Sequence, residues 1–81
     1  MFKEYDVVAL KKEVAGIPLA TGTEGTVLLV YPDGTAHHEI EFTDRKGNSF
    51  FPTYTVSEED LTLVREYDGR LIMKERFASQ H

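Results

Sequence analysis

The chain has 81 residues and a net charge of −5, from 9 Lys and Arg against 14 Asp and Glu. A chain of this length supports one small core and excludes a deep cleft between domains. No cysteine is present, which excludes a disulfide scaffold, thiolate zinc or iron–sulfur sites and a cysteine nucleophile. The first residues lack an apolar signal core, and no apolar run reaches the roughly 18 residues that span a bilayer. The expectation is a cytoplasmic protein that needs no membrane.

The elements read as strands. Tyr5 to Val14 is rich in Val and Leu and forms the first. Ala15 to Thr23 holds two Gly and one Pro and reads as a loop. Glu24 to Tyr31 is the most apolar stretch, with β-branched Thr26, Val27 and Val30. Pro32-Asp33-Gly34 then reads as a tight turn, with Pro presetting φ and Asp-Gly accepting positive φ. Ala36 to Thr43 alternates, so His38, Ile40 and Phe42 share a buried face and His37, Glu39, Glu41 and Thr43 share the other.

Asp44 to Asn48 reads as a second hairpin turn, followed by a strand over Ser49 to Val56. Pro52 within it lacks an amide donor and marks an edge or a bulge. Ser57 to Leu61 predicts a 3₁₀ turn, with Ser57 as its cap and acidic residues in its first turn. Thr62 to Tyr67 is the last core strand. Asp68-Gly69 follows as a turn signal, and Arg70 to Phe77 as a returning strand or short helix. Residues 1–68 hold 6 basic and 13 acidic residues, hence −7; residues 69–81 hold 3 and 1, hence +2. The division is a body over 1–68 and a C-terminal extension over 69–81, partly disordered.

Five short strands with glycine-bearing turns predict an all-β domain, a small SH3-like five-stranded barrel. Closure would remove most exposed edges. The order of segments also resembles a family of short bacterial proteins of unknown function with an SH3-like barrel. The resemblance rests on Met1-Phe2-Lys3-Glu4-Tyr5-Asp6-Val7-Val8-Ala9-Leu10, on Gly22-Thr23-Glu24-Gly25-Thr26-Val27 and on Val30-Tyr31-Pro32-Asp33-Gly34. It continues through Glu39-Ile40-Glu41-Phe42-Thr43-Asp44 and Asp60-Leu61, covering roughly residues 1–65. Members often lie beside toxin-like genes, so the resemblance implies an antitoxin-like or immunity-like partner-binding role. The spacing Gly22-x-x-Gly25-x-Val27 is also similar to a loop-to-strand element of RNA-binding ribosomal barrels, although any such barrel needs glycine where the backbone bends sharply.

No enzyme signature emerges. His37 and His38 are adjacent on a strand and face opposite ways, so they do not chelate one ion together. A metal site would need Glu39 or Glu41 beside His37 and a third ligand. The simpler assignment is a solvent-facing His37 and a core-edge His38, with no metal and no cofactor. Glu39 and Glu41 share a strand face but have no cleft to separate their pKa values for acid–base work. They read as a solvated face, or as an acidic stripe for a basic partner, extended by Asp44, Glu58, Glu59 and Asp60. Lys11-Lys12 and Arg45-Lys46 are the only basic pairs, a poor footprint for nucleic acid at this net charge.

The stretch Val27 to Tyr31 is apolar on both faces. Either the loop over 15–23 or the tail covers the outer face, or that face binds a partner or a second copy of the chain. The resulting expectation is a non-enzymatic protein-binding module for a partner with a basic surface. Its contact set is Glu39, Glu41, Glu58, Glu59 and Asp60, with Tyr31 and Tyr54 as aromatic anchors. The alternatives are an RNA- or ribosome-associated barrel using Lys11, Lys12, Arg45 and Lys46, and an accessory subunit held by residues 27–31.

Overall fold

The computed structural model describes residues 1–69. Five strands form one antiparallel sheet: β1 (Val7–Leu10), β2 (Glu24–Val30), β3 (His37–Phe42), β4 (Tyr54–Ser57) and β5 (Leu61–Arg65). Their order across the sheet is β4-β3-β2-β1-β5. A 3₁₀ turn over Glu58–Asp60 joins β4 to β5. Those two strands are the opposite edges of the sheet, yet three residues connect them. The sheet must therefore curl until one end of each edge meets the other. No ladder of hydrogen bonds pairs β4 with β5. The core is shared across this seam, because Val56 from β4 and Leu61 from β5 are buried in one cluster with Val8, Leu10, Val27, Ile40 and Phe42.

Alternation on β3 follows the expected pattern, with His38, Ile40 and Phe42 fully buried. On β2 a bulge between Val27 and Leu29 breaks the alternation. One extra residue on a bulged strand lets two positions an odd number apart face the same side. Val27 thus pairs with Ile40, and Val30 pairs with His38 on the core side, while Leu29 pairs with Glu39 on the outside. The apolar run that reads as two-sided is in part this bulge. Gly25 sits opposite Phe42, and a Cβ there would lie 2.7 Å from Ile40 Cγ2 and 2.8 Å from the Glu41 carbonyl. Glycine is needed at this point for close strand approach rather than for a bend.

Several boundaries differ from expectation. β1 spans four residues rather than ten, because Tyr5 adopts a left-handed φ of 71° and the chain leaves the sheet after Leu10. The strand expected over 49–56 shrinks to β4, preceded only by a single bridge from Ser49 to Thr43. Pro52, in a cis peptide with Phe51, lies outside it. Ser57 stands at the N-cap position of the 3₁₀ turn in extended conformation but makes no capping hydrogen bond. The loop over 15–23 packs Ile17 and, in part, Leu19 on the core. It lines the inside of the sheet and leaves Leu29 on the outside uncovered. The returning element expected over Arg70 to Phe77 lies outside the described residues. Among the described residues, no helix is long and apolar enough to cross a membrane.

The turn over 44–48 is built by one side chain. Asp44 Oδ1 accepts from the Lys46 and Asn48 amides at 2.8 and 2.9 Å. Gly47 closes the turn at a φ of 88°, donating its amide to the Asp44 carbonyl. Asp6 does similar work at the other end of the domain. It is almost fully buried and accepts from the Lys3 amide at 3.0 Å, the Lys3 ammonium at 2.8 Å and the Tyr67 amide at 2.8 Å. Burial works against the Asp6 charge, but these donors outweigh it and hold the carboxyl below its ordinary value. The segment after β5 is fastened to the N-terminal turn in this way. Edge-on packing of Tyr5 and Tyr67, 5.3 Å between rings, adds to the fastening.

Candidate functional site

The outer face of β2, β3 and β4 carries both charge and exposed apolar area. The strand registers set its rows. Thr26 lies opposite Glu41, Leu29 opposite Glu39, and Thr55 on β4 opposite Glu39 from the other side. Glu39 is therefore central, and it is not free. Its carboxylate accepts from Thr53 Oγ1 at 2.6 Å, Thr55 Oγ1 at 2.7 Å and the Tyr31 hydroxyl at 3.0 Å. The Thr53 bond leads in holding this carboxyl below its ordinary value; partial burial opposes it, and Thr55 and Tyr31 assist. Three hydroxyl donors fill most of the acceptor capacity of a carboxylate. Glu39 thus reads as a strut between β3, β4 and the end of β2.

Glu41 is different. It is half-buried beside Thr26 and has no ion pair or side-chain hydrogen bond among the described residues. Next to this pair, Leu28 and Leu29 remain 37% and 41% exposed. Leu28 is the extra residue at the bulge, which is why it has no cross-strand partner. Glu24, at the start of β2, is exposed on the same outer row.

The remaining predicted contact residues are dispersed. Glu58 lies at the inner rim, 3.3 Å from the buried His38 Nε2 and 3.2 Å from the Met1 amine. Burial opposes the Glu58 charge, and the hydrogen bonds and charges of the Met1 amine and His38 more than offset it, so its carboxyl sits below its ordinary value. Phe2 packs on the His38 ring at 5.6 Å. His38 Nδ1 is buried without a partner among the described residues. Asp60 pairs with Lys12 at 3.3 Å. Glu59 is exposed. Tyr31 is on the outer face with Glu39, whereas Tyr54 packs beside the core, 6.3 Å from Phe42.

The five carboxylates and two tyrosines thus occupy both faces and one end of the sheet. They do not form one contiguous stripe. Leu28 and Leu29 lie in the stretch 27–31 that the sequence marks as a candidate contact face, whereas Glu24 was not singled out. Which residues of that apolar run face outward becomes readable only once the bulge is known, and Glu24 carries no signal in the sequence. Among the described residues, no group of three or more His, Asp or Glu side chains is placed to hold a metal ion. The basic pairs are also split. Lys12 is engaged by Asp60, while Arg45 and Lys46 project from the exposed turn.

The chain belongs to the family described as a domain of unknown function, DUF4926, whose model matches residues 4–63. This span lies within the stretch over which the sequence resembles a family of short proteins of unknown function. No curated protein and no solved structure matches the chain significantly.

Proposed function

We propose that this DUF4926 chain is a non-enzymatic protein-binding module, built as an SH3-like barrel, whose partner presents a basic surface. In its concrete form the module neutralises that partner in an antitoxin-like or immunity-like manner. The observation that carries the reading is the outer face of β2 and β3. Leu28 and Leu29 stay open to solvent there, with the uncommitted carboxylate of Glu41 next to them and that of Glu24 at the other end of the same strand. Exposed apolar side chains rimmed by charge are the usual make-up of a protein contact. The acidic body, −7 over residues 1–68, steers a cationic partner toward it. The barrel assignment draws support from the three-residue link between the two edge strands and from the core they share.

The test is capture of partners by the full chain at low and high salt, with proteins and nucleic acids both identified. Wild type is compared with Leu29→Ser and with Glu41→Lys. The reading expects one stoichiometric basic protein that elutes with salt. Loss of the apolar anchor should weaken its capture, and charge reversal should slow its association and flatten the salt dependence. Recovery of RNA in place of protein, or capture that neither variant alters, would replace this reading.

A further inference from the structure

A groove of about 670 Å³ opens at the end of the sheet, between the close of the loop at residues 20–24 and the turn that begins at Thr43. Its walls include Thr21, Thr23, Glu24, Asp44, Arg45 and Phe50. This is the size class of ligand sites, with room for a short extended segment of chain. The parts that build it are firmly held. Gly22 donates its amide to the Leu10 carbonyl at 2.8 Å, and Leu10 donates to the Thr23 carbonyl at 3.0 Å. On the opposite wall Thr43 donates to the Glu24 carbonyl at 2.9 Å, and Phe50 to the Phe42 carbonyl at 2.8 Å. The backbone of the groove's walls is therefore held by hydrogen bonds of the sheet and its turns, which lowers the cost of ordering it around a guest.

Its charge balance favours a cation over an anion. Two carboxylates line it against one guanidinium, and the surrounding body carries −7. The two carboxylates have separate duties. Asp44 is committed to its turn, accepting from the Lys46 and Asn48 amides and from the Asn48 side chain. Its charge persists because those bonds stabilise it, the Asn48 amide foremost. Glu24 has no ion pair and no side-chain hydrogen bond among the described residues and is open to solvent. Phe50 is 37% exposed, an aromatic face on which an aliphatic stem or a cation can rest.

We infer that this groove is the subsite that receives a lysine or arginine side chain, carried on an extended segment of the partner protein, with Glu24 at the cationic head and Phe50 along the stem. The inference rests on the binding-module reading and specifies where its basic partner is recognised. Glu24 lies at the start of the outer row that carries Thr26 and Leu29, so the groove continues the proposed contact face around the start of β2. Arg45, on the opposite wall, repels the same guest and tempers its affinity.

The experiment is a titration of the isotope-labelled full chain with blocked Ala-Lys-Ala and Ala-Arg-Ala peptides, followed by amide NMR, with the norleucine peptide as control. Saturable shifts at residues 20–24, 43–45 and 50 that norleucine does not reproduce are the expected result. Glu24→Gln should weaken binding about threefold, Phe50→Leu about two- to fivefold, and Arg45→Gln should tighten it about twofold. Each variant's own spectrum reports whether it is folded. The absence of saturable shifts, shifts centred instead on Glu41 or Glu59, or unchanged affinity in Glu24→Gln would overturn the assignment. Partner capture separates the two ideas. A basic protein retained fully by Glu24→Gln and Phe50→Leu but lost with Leu29→Ser rejects the groove and keeps the module. Groove binding of the cationic peptides with no basic protein recovered keeps the groove and rejects the module.

Discussion

His38 and Glu39 are neighbours on β3 and occupy opposite environments. His38 is fully buried under Phe2 and meets Glu58 across the inner rim. Glu39 stands on the outer face inside a cage of three hydroxyls. Both are titratable residues of the kind that draws functional attention in a sequence, and both are consumed by structure. The difference between them teaches how. On the inside the constraint is volume, since apart from the Glu58 carboxylate at Nε2 the surroundings are packed apolar groups and Nδ1 goes without a partner. On the outside the constraint is hydrogen bonding, since water is available and the hydroxyls must compete with it. The two faces should therefore fail by different amounts and under different conditions.

The largest difference is expected between Phe42 and its neighbour Glu41. Phe42→Ala should cost about 3–5 kcal/mol through the cavity it leaves among Ile40, Val27 and Tyr54. Glu41→Ala should stay within about 0.5 kcal/mol, as expected of a side chain without fixed partners. Urea unfolding monitored by circular dichroism gives both values. A cost above about 2 kcal/mol for Glu41→Ala would show that the outer face is load-sharing with the core, contrary to its exposure.

A smaller effect belongs to the hydroxyl cage. Glu39→Gln should cost about 1–2 kcal/mol, because an ionised acceptor of three hydroxyls becomes neutral and one of its oxygens becomes a donor. Thr53→Val removes the shortest of the three bonds. The double mutant should then cost less than the two singles combined, with a coupling of at least about 0.5 kcal/mol. Strict additivity would mean that the cage is geometry without energy.

The smallest effect concerns acid. Glu39 is held below its ordinary value of 4.5 in the folded state, so on acidification the unfolded chain takes up the proton first. Its contribution is therefore fully present above the unfolded value and is lost as the pH falls through the folded one. Asp6 and Glu58 are shifted in the same direction. Wild type should lose stability below about pH 4.5, and Glu39→Gln should make that acid limb shallower without removing it. An identical slope in the variant would place the acid sensitivity entirely in the other carboxylates.

The faces of β3 were legible because its alternation is strict from His38 to Phe42 and period-two patterning admits only one reading. The 3₁₀ turn was legible from Glu58-Glu59-Asp60 between two apolar strands. Pro52 signalled a break, and the strand starts only beyond it, at Tyr54, rather than running through it. The bulge on β2 was not legible, since Val27-Leu28-Leu29-Val30 fits a doubly buried strand as well as a bulged one. The expected contact residues were the least legible. Adjacency in sequence suggested one stripe from Glu58, Glu59 and Asp60, yet one turn of 3₁₀ helix sends them toward His38, solvent and Lys12 respectively.

Local sequence thus determined the elements of this protein: strands where β-branched and alternating residues run, turns where Asp and Gly permit them, and a core drawn from the strands' inward positions. These follow from short-range sterics and from the period of a strand, which any window of eight or so residues displays. The tertiary structure decided which carboxylates are free. Thr53 and Thr55 reach Glu39 from 14 and 16 residues away, and Tyr67 reaches Asp6 from 61. The availability of a charge depends on donors that strand pairing brings to it, and pairing between distant segments is a property of the folded sheet rather than of any one stretch of chain.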